Sequence, residues 1–198
     1  MAIMRTFPVL QTERLTIRPF VMDDIQTIHA ILDRCFGDGS KINDEAALAE
    51  RQEWLQWSVL NYTALAKLYQ PPFGDRAIVL RDSNTLIGSV GLNPCLMEFG
   101  QLPSYGSQPT ASRTSEVGMF WAIDPEYQGV GYATEAARAV IDYMFTEERL
   151  QRIVATTEYN NLASQTVMRK LGMRLEHNPF PEPHYLQVVG ILESTQAG

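Results

Sequence analysis

Gly129 and Gly131 stand two apart in QGVGYATEA (128–136), directly after the apolar run EVGMFWAIDPEY (116–127). A strand, a glycine-bearing turn and a helix start together make an anion site. The first N–H groups of a helix lack intrahelical acceptors, and the macrodipole adds partial positive charge. Glycine lets a phosphate approach the backbone with no Cβ in the way. A P-loop would need a lysine after the glycines, and none follows. The dinucleotide fingerprint G-x-G-x-x-G ends here on Thr134, even though Glu158 could stand in for its ribose-binding acid. That fold would also begin far into the chain, leaving only about 70 residues for the rest. A glycine turn with no ligand is the plain alternative.

Glu116 is the second residue with chemistry, an acid beginning an otherwise apolar strand. Strand interiors seldom carry acids, so a general base is one reading and a solvated strand-end carboxylate the other. Glu126 and Glu135 have milder claims, because an acid at a helix start usually complements the dipole. Cys35 and Cys95 have no CxxC spacing, and His29, His177 and His184 lack metal-ligand spacing, so no metal site is expected.

The elements that must position these groups follow from periodicity. VLQTERLTIR (9–18) reads as a first strand ended by Pro19, and Asp23 and Asp24 open a helix. Ile25, Ile28, Leu32, Cys35 and Phe36 share one face of it, with His29 beside them as a packing residue. GDGS (37–40) is a turn, and residues 44–68 give a second helix in which Trp54 and Trp57 read as core. PPFGD (71–75) breaks that helix, and RAIVL (76–80) and TLIGSVGL (85–92) form a hairpin with Asn84 in the turn. Residues 93–113 have the proline, glycine and serine content of a long loop. The strand 116–123 is apolar on both faces, which predicts a central place in a covered sheet. Ala133, Ala136, Ala137, Val140, Ile141, Met144 and Phe145 then form a helical stripe. RIVATTE (152–158) is a strand, NLASQTVMRKLG (161–172) a short helix and HYLQVVGIL (184–192) a last strand. One α/β domain, with its core over about 9–192 of residues 1–198, is expected.

Net charge is −7 with no basic stripe, which argues against a nucleic-acid partner. No apolar run approaches the ~20 residues of a membrane span. The N-terminal MAIMRTFPVL has no signal-peptide core, and two lone thiols suit a reducing compartment, so a cytoplasmic location is expected.

A third phosphate-binding pattern, [QR]-x-x-G-x-[GA], is met by Gln128-Gly129-Val130-Gly131-Tyr132-Ala133. With it the chain resembles the GNAT superfamily of N-acetyltransferases, specifically its ribosomal-protein-alanine acetyltransferase (RimJ/RimL-like) branch. TERLTIRPF (12–20), EVGMFWAIDPEYQGVGYATEA (116–136), RIVATT (152–157) and NLASQTVMRKLGM (161–173) carry the resemblance in order. It implies a GNAT fold, a mixed and largely antiparallel twisted sheet of about seven strands flanked by about four helices. It also implies acetyl-CoA as co-substrate. Its diphosphate would lie on the N–H groups of Gly129, Val130, Gly131, Tyr132, Ala133 and Thr134, with Gln128 at the approach. Its pantetheine arm would pair with the strand near Ile123 and with Asn161, itself a natural N-cap.

The resemblance further aligns Glu116 with the glutamate that many members use as a base, and Ser164 with a serine thought to assist the leaving thiolate. A first-turn serine bonding its own backbone is the other reading of Ser164. Many relatives place a tyrosine where Met168 stands, and methionine cannot donate a proton. Tyr132 and Tyr159 are lesser substitutes. The implied reaction is direct acetyl transfer to a primary amine, a protein N-terminus or a small molecule, in a ternary complex. A non-catalytic acyl-CoA-binding or sensing domain is the alternative. A homodimer remains open, as does the acceptor's identity.

Overall fold

The computed structural model describes residues 7–68, 70–71, 73–109 and 113–195. Residues 1–6, Tyr69, Pro72, 110–112 and 196–198 lie outside the described residues, and with them parts of the expected helix break and of the expected 93–113 loop. The elements run β1 (Leu10–Gln11), β2 (Leu15–Pro19), α1 (Ile25–Phe36), α2 (Glu45–Ala64), β3 (Gly74–Leu80) and β4 (Leu86–Met97). They continue with β5 (Thr114–Ile123), α3 (Tyr132–Thr146), β6 (Arg152–Thr157), α4 (Leu162–Leu171), β7 (Arg174–His177) and β8 (Val188–Glu193). The eight strands take the order β1-β2-β3-β4-β5-β6-β8-β7. β5 and β6 are parallel, joined through α3, while β1/β2, β2/β3, β6/β8 and β7/β8 are antiparallel. No helix among the described residues is long and apolar enough to cross a membrane.

The chain groups into two compact units, Met1–Gly91 with Trp121–Val140, and Leu92–Phe120 with Ile141–Gly198. In the first, Phe20, Ile28, Ile31, Leu55, Ala77 and Val79 are buried together, and Trp54 meets the Phe20 ring edge-on at 5.8 Å. In the second, Phe99, Leu102, Val154, Leu186 and Val189 form the core.

Local chemistry accounts for the element ends. The Asp44 carboxylate caps α2 by accepting from the N–H groups of Ala46 and Ala47 at 2.9 and 3.1 Å. Asp24, ahead of α1, accepts from Val21 N–H and from both terminal nitrogens of Arg18.

Several expectations are corrected. The single strand over 9–18 is two short strands, because the Thr12 hydroxyl accepts from Leu15 N–H at 2.9 Å and turns the chain. Trp57 is 59% exposed and Phe36 76%, so neither belongs to the core. The 93–113 segment is no loop at its start. β4 runs on to Met97, and two 3₁₀ turns follow that bury Phe99 and Leu102. β7 was not expected from periodicity, and with it the sheet has eight strands, in keeping with the about seven expected. His184–Leu186 is a 3₁₀ turn ahead of β8 rather than part of a strand. β5 is central in order, yet Val117, Phe120 and Trp121 are only half-buried.

Candidate active site

In the first unit, the glycine turn is braced by residues from the N-terminal end of the chain. Gly129 and Gly131 have φ of +82° and +95°, a backbone region in which a Cβ is strained. Glu135, in the first turn of α3, is gripped on both oxygens. The Thr12 hydroxyl donates to Oε1 at 2.6 Å, Arg14 N–H to Oε1 at 3.0 Å and Arg14 Nε to Oε2 at 2.7 Å. Burial alone would push the Glu135 carboxyl up, but these donors together hold it below its ordinary value. The Arg14 guanidinium also donates to the Val130 carbonyl at 3.1 Å and lies 4.5 Å over the Tyr132 ring.

This geometry suits a diphosphate. A Cβ on Gly129 would meet nothing within 4 Å, so the turn is open to an approaching group. The first intrahelical bond here runs from Glu135 N–H to Gly131 O at 3.0 Å, leaving the N–H groups of the turn ahead of it without intrahelical acceptors. Arg14, 41% exposed at its side chain, holds its guanidinium beside them, paired with the Glu135 carboxylate. Sequence reading missed Arg14. Its position in TERLTIRPF was visible, but nothing local pointed to a helix more than 100 residues away.

The carbonyl of Ile123 is already engaged. Gln128 Nε2 donates to it at 2.7 Å and the Cys35 thiol at 3.2 Å, which fills both lone pairs. An arm pairing with this strand would use another backbone group or displace Gln128. Burial pushes the Cys35 thiol up to about 11 and raises the Cys95 thiol as well.

Glu116, Asn161 and Ser164 belong to the second unit. The side chain of Glu116 is 5% exposed. Arg152 donates to both its oxygens, Nε to Oε2 at 2.9 Å and Nη2 to Oε1 at 2.5 Å, and the Tyr105 hydroxyl donates to Oε1 at 3.1 Å. Neither partner was nominated from sequence. A cleft of about 600 Å³ opens beside this group, lined among others by Ser115, Glu116, Gln151, Arg152 and Glu193. Asn161 caps α4, its Oδ1 accepting from Ser164 N–H at 3.0 Å, while Ser164 itself is half-buried. Met168 is 1% exposed and packs as core. The Tyr159 hydroxyl donates to the Asn178 carbonyl.

Residues 14–174 match the acetyltransferase (GNAT) domain model. The chain belongs to the GNAT acetyltransferase family. It is 30% identical over 174 residues to YoaA of Bacillus subtilis strain 168, named an uncharacterized N-acetyltransferase, covering 86% of this chain and 85% of that one. It is 39% identical over 107 residues to YnaD of the same strain, also named an uncharacterized N-acetyltransferase. That match spans 52% of this chain and only 54% of YnaD. Among solved structures, a ribosomal-protein-S5-alanine acetyltransferase from Vibrio fischeri shares the fold with a TM-score of 0.65 at 19% identity. The match covers 96% of this chain and 98% of that one.

Proposed function

We propose that this chain, as one domain over about residues 9–192, is a cytoplasmic acetyl-CoA-dependent N-acetyltransferase of the RimJ/RimL-like branch. The observation that carries the reading is the left-handed glycine turn at the start of α3, with Arg14 fixed beside it by Glu135. In this reading the N–H groups of Gly129 to Thr134 receive the diphosphate of acetyl-CoA, with Gln128 at the approach. The strand near Ile123 and Asn161 receive its arm.

The acceptor is a primary amine. Its nitrogen attacks the thioester carbonyl, the C–S bond breaks, the amine loses a proton and the departing thiolate gains one. An alkyl amine with a pKa near ~10 is mostly protonated at neutral pH, so removing that proton needs help. Glu116 serves as the base through a bound water, because Arg152 and Tyr105 occupy its own oxygens. Ser164 supplies the hydrogen bond to the thiolate. Transfer is direct in a ternary complex, since burial keeps both cysteine thiols from offering a thiolate for an acetyl-enzyme. The rival, a domain that binds acyl-CoA without turnover, draws on buried Met168, which has no proton to give.

The test has two arms. CoA at 100 Kd should stabilise the protein by about 2.7 kcal/mol, a melting shift of roughly 5 to 10 °C for a chain of this size. Acetyl-CoA with a panel of amines and peptides should then release free thiol. Binding without thiol release from any acceptor would leave the sensor reading. No shift at all would sink both.

A further inference from the structure

Within the first unit, the solvent side of α2 carries apolar bulk that a surface helix ordinarily keeps for the core. Leu55, Ser58 and Asn61 are its buried residues. Trp57 and Leu60 face outward, 59% and 62% exposed. Leu68, on the 3₁₀ turn Leu65–Leu68 that continues the helix, is 66% exposed. Ala49, Glu53, Trp57, Leu60 and Ala64 follow one another at spacings of four and three, which sets them on one stripe about 80° wide at 3.6 residues per turn. A single exposed leucine needs no explanation, whereas a contiguous stripe marks an interaction face.

The charges on this face say what covers it. Glu50 and Glu53 stand toward its start and Lys67 just past the end of α2, all three exposed. Two copies of α2 laid side by side in parallel would set acid against acid and lysine against lysine. Laid antiparallel about a two-fold axis between Trp57 and Leu60, they set Trp57 of one copy on Leu60 of the other. Lys67 of each then lies beside Glu50 and Glu53 of its mate, because Lys67 and Glu50 are equally far from that axis in sequence. The face is therefore its own complement, as a two-fold contact requires. Its apolar centre and charged ends also follow the usual anatomy of an interface.

We infer that the outer face of α2 is a self-association surface, and that its occupant is the same face of a second copy of this chain. From Ala49 to Leu68 the seam is about 30 Å long at ~1.5 Å per residue and ~10 Å wide. That extent is at the low end for a specific interface, so the dimer dissociates in the micromolar range. Trp57, with its large ring near the two-fold axis, is the anchor of the contact. The inference is independent of the acetyl-transfer reading, and its test reads mass rather than turnover.

Sedimentation velocity of the full chain over a dilution series tests it. The wild type should pass from dimer to monomer on dilution through the micromolar range. Leu60→Glu puts two carboxylates at the centre of the seam, and should stay monomeric while keeping its fold, since Leu60 is exposed. Lys67→Glu makes the face wholly acidic, and Glu50→Lys with Glu53→Lys makes it wholly basic. Each of these should weaken the wild-type Kd about tenfold or more when alone, and an equimolar mixture of the two should form dimers again. A wild type that remains monomeric up to millimolar concentration would give the stripe to some other partner and overturn the assignment. A dimer that survives Leu60→Glu, or a mixture of the charge variants that associates no better than either alone, would overturn it as well.

Discussion

Replacing Arg152 by Met isolates the charge on Glu116. The Glu116 side chain is 5% exposed and loses both guanidinium bonds, keeping only the Tyr105 hydroxyl at 3.1 Å. Breaking a buried pair by removing one partner typically costs about 3 to 5 kcal/mol, because the remaining charge is uncompensated. Arg152 itself is 37% exposed, so water reaches the pair and lowers the cost below that range, to about 2 to 3 kcal/mol. At roughly 2 to 4 °C per kcal/mol, the melting temperature should fall by about 4 to 12 °C. Adding Glu116→Gln removes the charge and should restore most of the loss, a coupling of about 2 kcal/mol in a double-mutant cycle read by denaturant unfolding. A cost below about 1 kcal/mol, or strict additivity, would refute the view of Glu116 as a buried, Arg-dependent carboxylate. Glu116→Gln alone also addresses the base role. Its kcat should drop by about 10²–10⁴ at neutral pH with CoA affinity kept.

Gly131→Val puts a branched residue at a φ of +95° and a Cβ against Arg14 Nη2, so the CoA-induced melting shift should vanish; a folded variant with wild-type CoA affinity would remove the turn from the cofactor site. Ser164→Ala should lower turnover modestly with CoA affinity intact, whereas an unchanged rate would return Ser164 to a helix-start role. Burial holds the Asp75 carboxyl at about 6, above its ordinary range, so the folded state binds its proton more tightly than the unfolded state does. Stability from this group is full below pH ~4 and is lost as pH rises through ~6. Half-buried Asp75 therefore costs the neutral-pH protein about 1 to 2 kcal/mol after allowing for solvent. Asp75→Asn should be the more stable protein at pH 7 and equal to wild type near pH 4, as unfolding curves at the two pH values will show; parallel pH profiles would contradict this.

What could be read from sequence was whatever repeats or turns locally. The stripe from Ala133 to Phe145 gave α3, whose residues Ala136, Ala137, Val140, Ile141 and Met144 are all buried. The glycine turn was legible because its backbone geometry demands that residue type. The partners were not. Arg152 lies 36 residues from Glu116 and Arg14 lies 121 from Glu135, and only the fold brings each pair together. α2 misled because two of its three buried residues are Ser58 and Asn61, beside Leu55, so no continuous apolar stripe marks the face. Trp57 follows from the same confusion, standing one position and hence about 100° around the helix from inward Ser58. Residues 93–109 have the composition of a loop, yet Phe99 and Leu102 inside them anchor a core. β7, four residues of RLEH, is too short for alternation to register.

The brace between Thr12, Arg14 and Glu135 has a consequence for the order in which the protein is made. Its contacts span 121 to 123 residues, so the anion turn closes the longest contact loop described above. At ~5 to 20 residues per second of synthesis, Thr12 and Arg14 leave the ribosome some 6 to 24 s before Glu135 follows. Until then the Arg14 guanidinium has no Glu135 to grip, and the turn between β1 and β2 presents an unanswered cation on the nascent chain. The cofactor turn is thus assembled by the meeting of an early segment with a late one. Ligand binding accordingly reports completion of the first unit, since no fragment ending before residue 135 contains both sides of the brace.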